Sequence, residues 1–223
     1  MDMQALFVTL RLAAVTTGVL LLIAVPLAYW IASTRSRLRA PVEALTTLPI
    51  LLPPTVLGFY LLILLGSRTS VGRTWIHLTG HPLAFNFTGL VIGSVIYSFP
   101  FAVQPIVAGF SSVDAALIEQ ALLLGASRWR ILVSVLLPLS VRSIAAAALL
   151  CFTHTIGEFG VVLMVGGDIP GATRTLSIAI YDQVQDFAYA AANRTALLLV
   201  VISVTTLILL YAWRGAYAVA RHE

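Results

Sequence analysis

Along this chain, long apolar runs alternate with short polar segments, and the arginines collect in the polar segments. Five runs are long enough to cross the roughly 30 Å of a bilayer's hydrocarbon core: residues 12–32, 44–66, 89–109, 143–165 and 195–213. The pattern predicts an all-α, polytopic membrane protein with about five transmembrane helices, folded as a single domain over residues 1–223. The first run is too long for a signal-peptide core and no small-x-small cleavage site follows it, so it reads as a retained span. Three polar stretches stand out between the runs, at residues 67–88, 111–140 and 166–194.

Composition agrees with this pattern. The chain is 60% hydrophobic and only 10% charged, where a soluble domain carries about 25% charged residues. Its net charge is +4, and all 13 basic residues are arginine. They lie between the apolar runs rather than in one patch, which argues against nucleic acid as a partner. Cys151 is the single cysteine, which excludes an internal disulfide and a thiolate metal cluster.

Arginine counting orients the spans. Arg35, Arg37, Arg39, Arg128, Arg130, Arg142, Arg214 and Arg221 fall on one side by parity. Arg11, Arg68, Arg73, Arg174 and Arg194 fall on the other. The bias predicts the N-terminus outside and the C-terminus cytoplasmic. Segment 111–140 is then cytoplasmic, while 67–88 and 166–194 are external loops.

Segment 111–140 reads as a helix, a sharp turn and a second helix. Ser111 and Ser112 are N-cap candidates, with Asp114 in the first turn. Leu117, Ala121 and Leu124 recur at helical spacing, and Gly125 stands where a left-handed cap ends a helix. Ser127 is placed to cap a second helix over residues 128–137, with Pro138 marking a break before the fourth span. The pattern supports two readings: an amphipathic hairpin anchored on the membrane by Trp129 and its arginines, or a compact knob, with alanine on its contact face, that enters a partner's groove.

Spacing adds a resemblance. Glu119, Ala121, Gly125, Leu137 and Pro138 stand at the positions of E-x-A-x3-G-x9-I-x-L-P, with Val135 at the isoleucine. This resembles the cytoplasmic signature loop of ABC importer permeases. The stretches LPILLPPTVLGFYLL, YSFPFAVQPI, GEFG and IPGATRTLSIAIY resemble the molybdate transporter subgroup, and the similarity covers most of residues 35–181. The resemblance implies a type I permease fold in the cell inner membrane, importing molybdate at the expense of ATP. It also implies a homodimer, two copies of an ABC ATPase on which residues 119–138 seat, and a periplasmic or extracellular molybdate-binding protein. Sulfate, thiosulfate and tungstate permeases are close relatives and stay open as alternatives. A stand-alone secondary carrier or channel is the reading from another class.

The remaining candidates lie in the spans and loops. Pro53 and Pro54, with Pro49, interrupt the second run, and Pro100 and Pro105 the third; each is a candidate gate or a static kink. Thr16, Thr17, Thr55, Ser94, Ser98, Gln104, Thr153 and Thr155 offer weak hydrogen bonds along a path for an oxyanion. His154 and Glu158, four apart in the fourth run, would share a helical face. A carboxylate there would repel a dianion, so a structural role, holding a turn or bonding freed amides, is the stronger reading for Glu158. In the loop 166–194, Leu176, Ile180 and Val184 recur as the apolar stripe of a short interfacial helix, and Arg174 is a candidate binding-protein contact. No G-x4-G-K-[ST] phosphate loop occurs, so the energy must come from another subunit. Of the histidines at 77, 81, 154 and 222, only His77 and His81 approach ligand spacing, and neither a metal site nor a cofactor is expected.

Overall fold

The computed structural model describes residues 2–219, and every regular element among them is helical. Three helices make the centre: α1 (Met3–Ser33), α5 (Phe87–Ser111) and α9 (Val141–Gly157), each packed on the other two. Their shared core joins Leu20, Ala24 and Ala28 of α1 to Ala102, Val103 and Ile106 of α5 and to Ala147 and Cys151 of α9. The alanines let the backbones approach, which is how helices associate where lipid is as apolar as the core.

Three helices are long and apolar enough to cross a membrane singly: α1, α5 and α12 (Tyr189–Val219). Two more crossings require bent pairs. α2 (Arg39–Leu51) and α3 (Pro54–Leu65) meet at 108°, and Arg128–Leu139 meets Val141–Gly157 at 74°. Five crossings therefore fit, but the second expected run is two helices set at an angle. Pro53 sits outside both helices and Pro54 starts α3, because neither proline can donate to the turn before it. Pro100 and Pro105, by contrast, lie inside an unbroken α5. α5 supports them through its neighbours, and Pro100 is buried.

The fourth expected run, 143–165, also divides. α9 ends at Gly157, Glu158 and Phe159 leave the helix, and α10 (Gly160–Gly166) follows. At this second break Gly160 comes so close to α3 that a Cβ there would lie 2.8 Å from Pro54 Cβ. The two interruptions thus face each other.

The helices order the polar stretches at two ends. At one end lies α4 (Ser70–Thr79), with Leu83 packed among α3 and α10, together with α11 (Leu176–Gln185), whose Leu176 and Ala179 pack on Ala5 of α1. A buried hydrogen bond ties this end together: the Leu176 N–H donates to Thr9 Oγ1 at 2.8 Å across a separation of 167 residues. The expected stripe of Leu176, Ile180 and Val184 packs only in part: Leu176 is buried with Ile178 and Ala179, Ile180 is half-buried and Val184 is exposed. The helix rests on its own bundle rather than lying free. At the opposite end, Ile31 and Phe110 pack with Ile131 and Leu132 of the segment 111–140. Outward-facing apolar side chains are numerous, including Phe59 and Tyr60 on α3 and Leu197, Val200 and Ile208 on α12. A surface of this kind is stable in lipid, not in water. Arg221 and His222 lie outside the described residues.

Candidate functional site

Segment 111–140 folds as a helix, turn and helix. Ser111 ends α5 and Ser112 caps its C-terminus, so the N-cap of α6 (Ala115–Leu123) is Asp114, whose carboxylate accepts from the Ala116 N–H at 2.9 Å. A carboxylate at this position satisfies a free amide and faces the positive helix end. Gly125 takes φ +78°, and the turn closes by Gly125 N–H to Leu122 O and Ala126 N–H to Ala121 O, both at 2.9 Å. This pair of bonds is the Schellman arrangement that ends a helix with a left-handed residue. Ser127 Oγ accepts from the Arg130 N–H and caps α7 (Arg128–Ile131). A π-helical turn (Leu132–Leu136) and α8 (Leu137–Leu139) continue it. Pro138 lies inside that continuation, and the bend comes two residues later at Ser140, before α9.

The helix pair has an inner and an outer side. Ile118, Ala121 and Ala126 pack on the central core, and Leu137 is half-buried beside them. Ala121 therefore seats α6 on its own bundle instead of forming the outermost face. Leu123 and Leu124 are each 88% exposed and Trp129 is 71% exposed. Next to the turn this makes an apolar tip flanked by Gln120 and Arg130. Glu119 lines a cleft of about 360 Å³ together with Tyr29, Arg35 and Arg128. The Tyr29 hydroxyl donates to the Arg128 carbonyl at 3.2 Å, linking α1 to the start of α7. Sequence reasoning missed this link, since nothing in the spacing pairs residues 99 apart.

A second polar site lies where the two helix breaks meet. Thr55, Tyr97, Thr153, His154 and Glu158 line a cavity of about 510 Å³ there. His154 Nδ1 is 2.9 Å from Ser98 Oγ, and its ring stacks on Phe101 with centroids 4.2 Å apart. Because α9 stops at Gly157, His154 and Glu158 do not share a helical face; Glu158 is extended backbone at φ −67°, ψ 133°. Its side chain is only 3% exposed, and neither carboxyl oxygen completes a hydrogen bond. Ser94 is near enough to act on the carboxyl but makes no bond of normal geometry. The freed amides of the break are thus not held by Glu158. Of the other polar candidates in the spans, Thr16, Thr17 and Ser94 keep buried hydroxyls without partners. Gln104 donates to Thr47 on α2, and Ser98 and Thr155 bond each other.

Arg174 is not a free cation. Its guanidinium bonds both oxygens of Asp168, at 2.5 and 2.7 Å, and approaches Asp182 at 3.3 Å. The hydrogen bonds from Arg174 hold Asp168 below its usual range. Asp182, desolvated and set beside Asp168, is pushed up to about 6. Both acids belong to the same polar stretch as Arg174, which was the one sequence signal for this cluster. No group of three metal-ligating side chains occurs among the described residues.

The chain thus carries an apolar tip at one end and a polar cavity where its two divided spans meet. The family described as binding-protein-dependent transport system inner membrane component matches residues 24–221. The chain belongs to that family. Within it, this inner membrane component is 44% identical over 213 residues to the molybdenum transport system permease protein ModB of Azotobacter vinelandii, covering 96% of this chain and 94% of that one. It is 30% identical to the protein of the same description from Haemophilus influenzae, over 94% and 92% of the two chains. A crystal structure of a bacterial ABC transporter involved in the import of the acidic polysaccharide alginate superposes with a TM-score of 0.71 at 18% identity, covering 93% of this chain and 78% of that one. That likeness establishes the permease fold. The resemblance read from Glu119 to Pro138 is borne out at the level of the family, and this permease is a multi-pass membrane protein.

Proposed function

We propose that this chain is the transmembrane permease subunit of an ATP-driven ABC importer, and that it carries molybdate across the inner membrane. The observation that carries the reading is the 44% identity to a molybdenum permease over nearly the whole of both chains. The chain contains no phosphate loop of its own, so ATP is hydrolysed by a partner. Two copies of the permease enclose the path, two ATPase subunits sit beneath the α6 and α7 ends, and a molybdate-binding protein delivers substrate at the opposite end. The N-terminus is outside and the C-terminus cytoplasmic.

In this reading the ATPases grip the exposed tip formed by Leu123, Leu124 and Trp129. Ile118, Ala121 and Leu137 pass the motion inward, because they pack on the core shared by α1, α5 and α9. Closure of the ATPases then rocks the bundle between two access states as a near-rigid body. Pro53 and Pro54 set the angle of α3 against that bundle, while Pro100 leaves one turn of α5 short of a hydrogen bond and so able to flex.

Uptake of labelled molybdate by cells carrying the permease with its ATPase and binding protein tests the proposal. Accumulation should require all three components and yield to excess molybdate but not to equal sulfate. Strong competition by sulfate would move the assignment to sulfate, and uptake without the ATPase would indicate a stand-alone carrier.

A further inference from the structure

The cavity between the two breaks has features that packing alone does not explain. α3 has twelve residues and opens without a side-chain cap, since Pro53 has no side-chain acceptor. Its positive end therefore faces the cavity at Pro54 and Thr55. Thr55, Thr153, Tyr97 and His154 add hydroxyl and imidazole groups, and no arginine lines the space. Beside them is Glu158, buried and with both oxygens unpartnered. Ionised, such a carboxylate would be among the costliest groups a membrane protein can bury. As the neutral acid it carries one hydrogen to donate.

We propose that this cavity is the resting place of the oxyanion in transit, and that Glu158 meets it as a neutral carboxylic acid that donates a hydrogen bond. The inference rests on the oxyanion reading above and deepens it by naming the site. A tetrahedral oxyanion presents acceptors in every direction, and the cavity answers with donors: the acid proton, the threonine and tyrosine hydroxyls and the Thr55 N–H at the start of α3, the Val56 and Leu57 N–H groups being already bonded to the Pro53 carbonyl. The absence of arginine from the lining is part of the design. A fixed cation would hold a dianion too firmly for passage, whereas neutral donors let it leave. The repulsion expected of a carboxylate disappears when the group is uncharged, and the acid, which completes no bond with the nearby Ser94, is left to donate to the substrate.

The test uses the whole transporter, permease with ATPase and binding protein, in proteoliposomes. Molybdate uptake and the ATP hydrolysis stimulated by loaded binding protein are measured separately. Glu158→Gln keeps a neutral donor and should retain uptake within about threefold, whereas Glu158→Leu should lower it about tenfold or more. Hydrolysis should continue in both, giving futile turnover in the leucine variant. Thr55→Val serves as the second variant should Glu158→Leu fail to assemble, with the same loss of uptake at preserved hydrolysis. The proposal is overturned if Glu158→Leu or an assembled Thr55→Val transports like the parent, or if Glu158→Gln is as defective as Glu158→Leu. A parent complex that accumulates sulfate in place of molybdate removes the molybdate reading alone, and the same variants then decide the site with sulfate as the probe.

Discussion

Gly160 and Pro54 touch across the two helix breaks, with room between them for a hydrogen but not for a methyl group: a Cβ on Gly160 would lie 2.8 Å from Pro54 Cβ and 3.4 Å from the Thr55 nitrogen. The start of α10 is thereby keyed to the start of α3, and the cavity lined by Glu158 lies at the junction. Gly160→Ala should force the two helices apart, at an overpacking cost of about 1–3 kcal/mol. Thermal unfolding of the detergent-solubilised permease should show a lower midpoint and uptake should fall. An alanine variant as stable and as active as the parent would mean that the contact is loose.

The turn at Gly125 yields a second prediction, in which coupling separates from folding. A Cβ at this position would meet nothing within 4 Å, so alanine is disfavoured only by the left-handed backbone, φ +78°. Gly125→Ala should cost about 1–2 kcal/mol locally and leave the protein in the membrane. Gly125→Pro is more severe, because it also removes the N–H that bonds the Leu122 carbonyl. Copurification of the ATPase with the proline variant should be lost together with transport. Normal copurification and normal uptake would contradict the docking role given to α6 and α7.

Tyr29→Phe isolates the link between α1 and α7. It deletes one hydrogen bond, from the Tyr29 hydroxyl to the Arg128 carbonyl, worth about 0.5–1.5 kcal/mol. Folding should be nearly unchanged. If the link transmits motion, the number of molybdate ions moved per ATP should drop. An unchanged ratio would make the bond a packing detail.

The acidic cluster around Arg174 gives a pH dependence with a definite sign. The folded value for Asp182 is raised to about 6 from an ordinary 3.8. A carboxyl raised in this way favours the folded contact when protonated, so the contact weakens as pH rises toward and through about 6. Asp168 is lowered, and its contribution is lost only on acidification below the ordinary carboxyl range. Between the ordinary value of 3.8 and the folded value of about 6 the Asp182 effect therefore acts alone, and it is complete above that. Amide exchange at residues 167–186 should be faster at the higher pH, and Asp182→Asn should remove most of the difference. Exchange that slows with pH, after correction for intrinsic rates, would reverse the assignment.

How much of this was legible in the sequence follows from the range over which each signal acts. The apolar runs and the turn at Gly125 are local, and both are where the pattern placed them. Breaks inside apolar runs are harder to see. Pro53 and Pro54 marked a kink but not a bend of 108°, because the angle depends on what α3 packs against. The interruption at Glu158 carries no proline at all, only Gly157 and Gly160. Counting residues as though the helix continued put His154 and Glu158 on one face, when the chain turns between them. The N-cap moved from Ser111 and Ser112 to Asp114 because α5 extends through Ser111 and uses both serines for itself. Contacts such as Tyr29 with Arg128 and Ser98 with His154 join distant segments, and no single-chain periodicity encodes them. The stripe on α11 shows the same limit: its first member, Leu176, packs with Ala179 on Ala5 of α1, a neighbour that helical spacing cannot reveal.

The bond from the Leu176 N–H to Thr9 Oγ1 joins the first helix to the eleventh. A ribosome delivers the chain in one direction, so α1 enters the membrane long before residue 176 exists. Until then Ala5 and Thr9 have no α11 to pack on, and this end of the bundle stays open to whatever chaperone or lipid stands in its place. The end that α11 closes is therefore finished last, and a nascent chain stopped short of it should already carry its α6 and α7 tip while still lacking the seal at its other face.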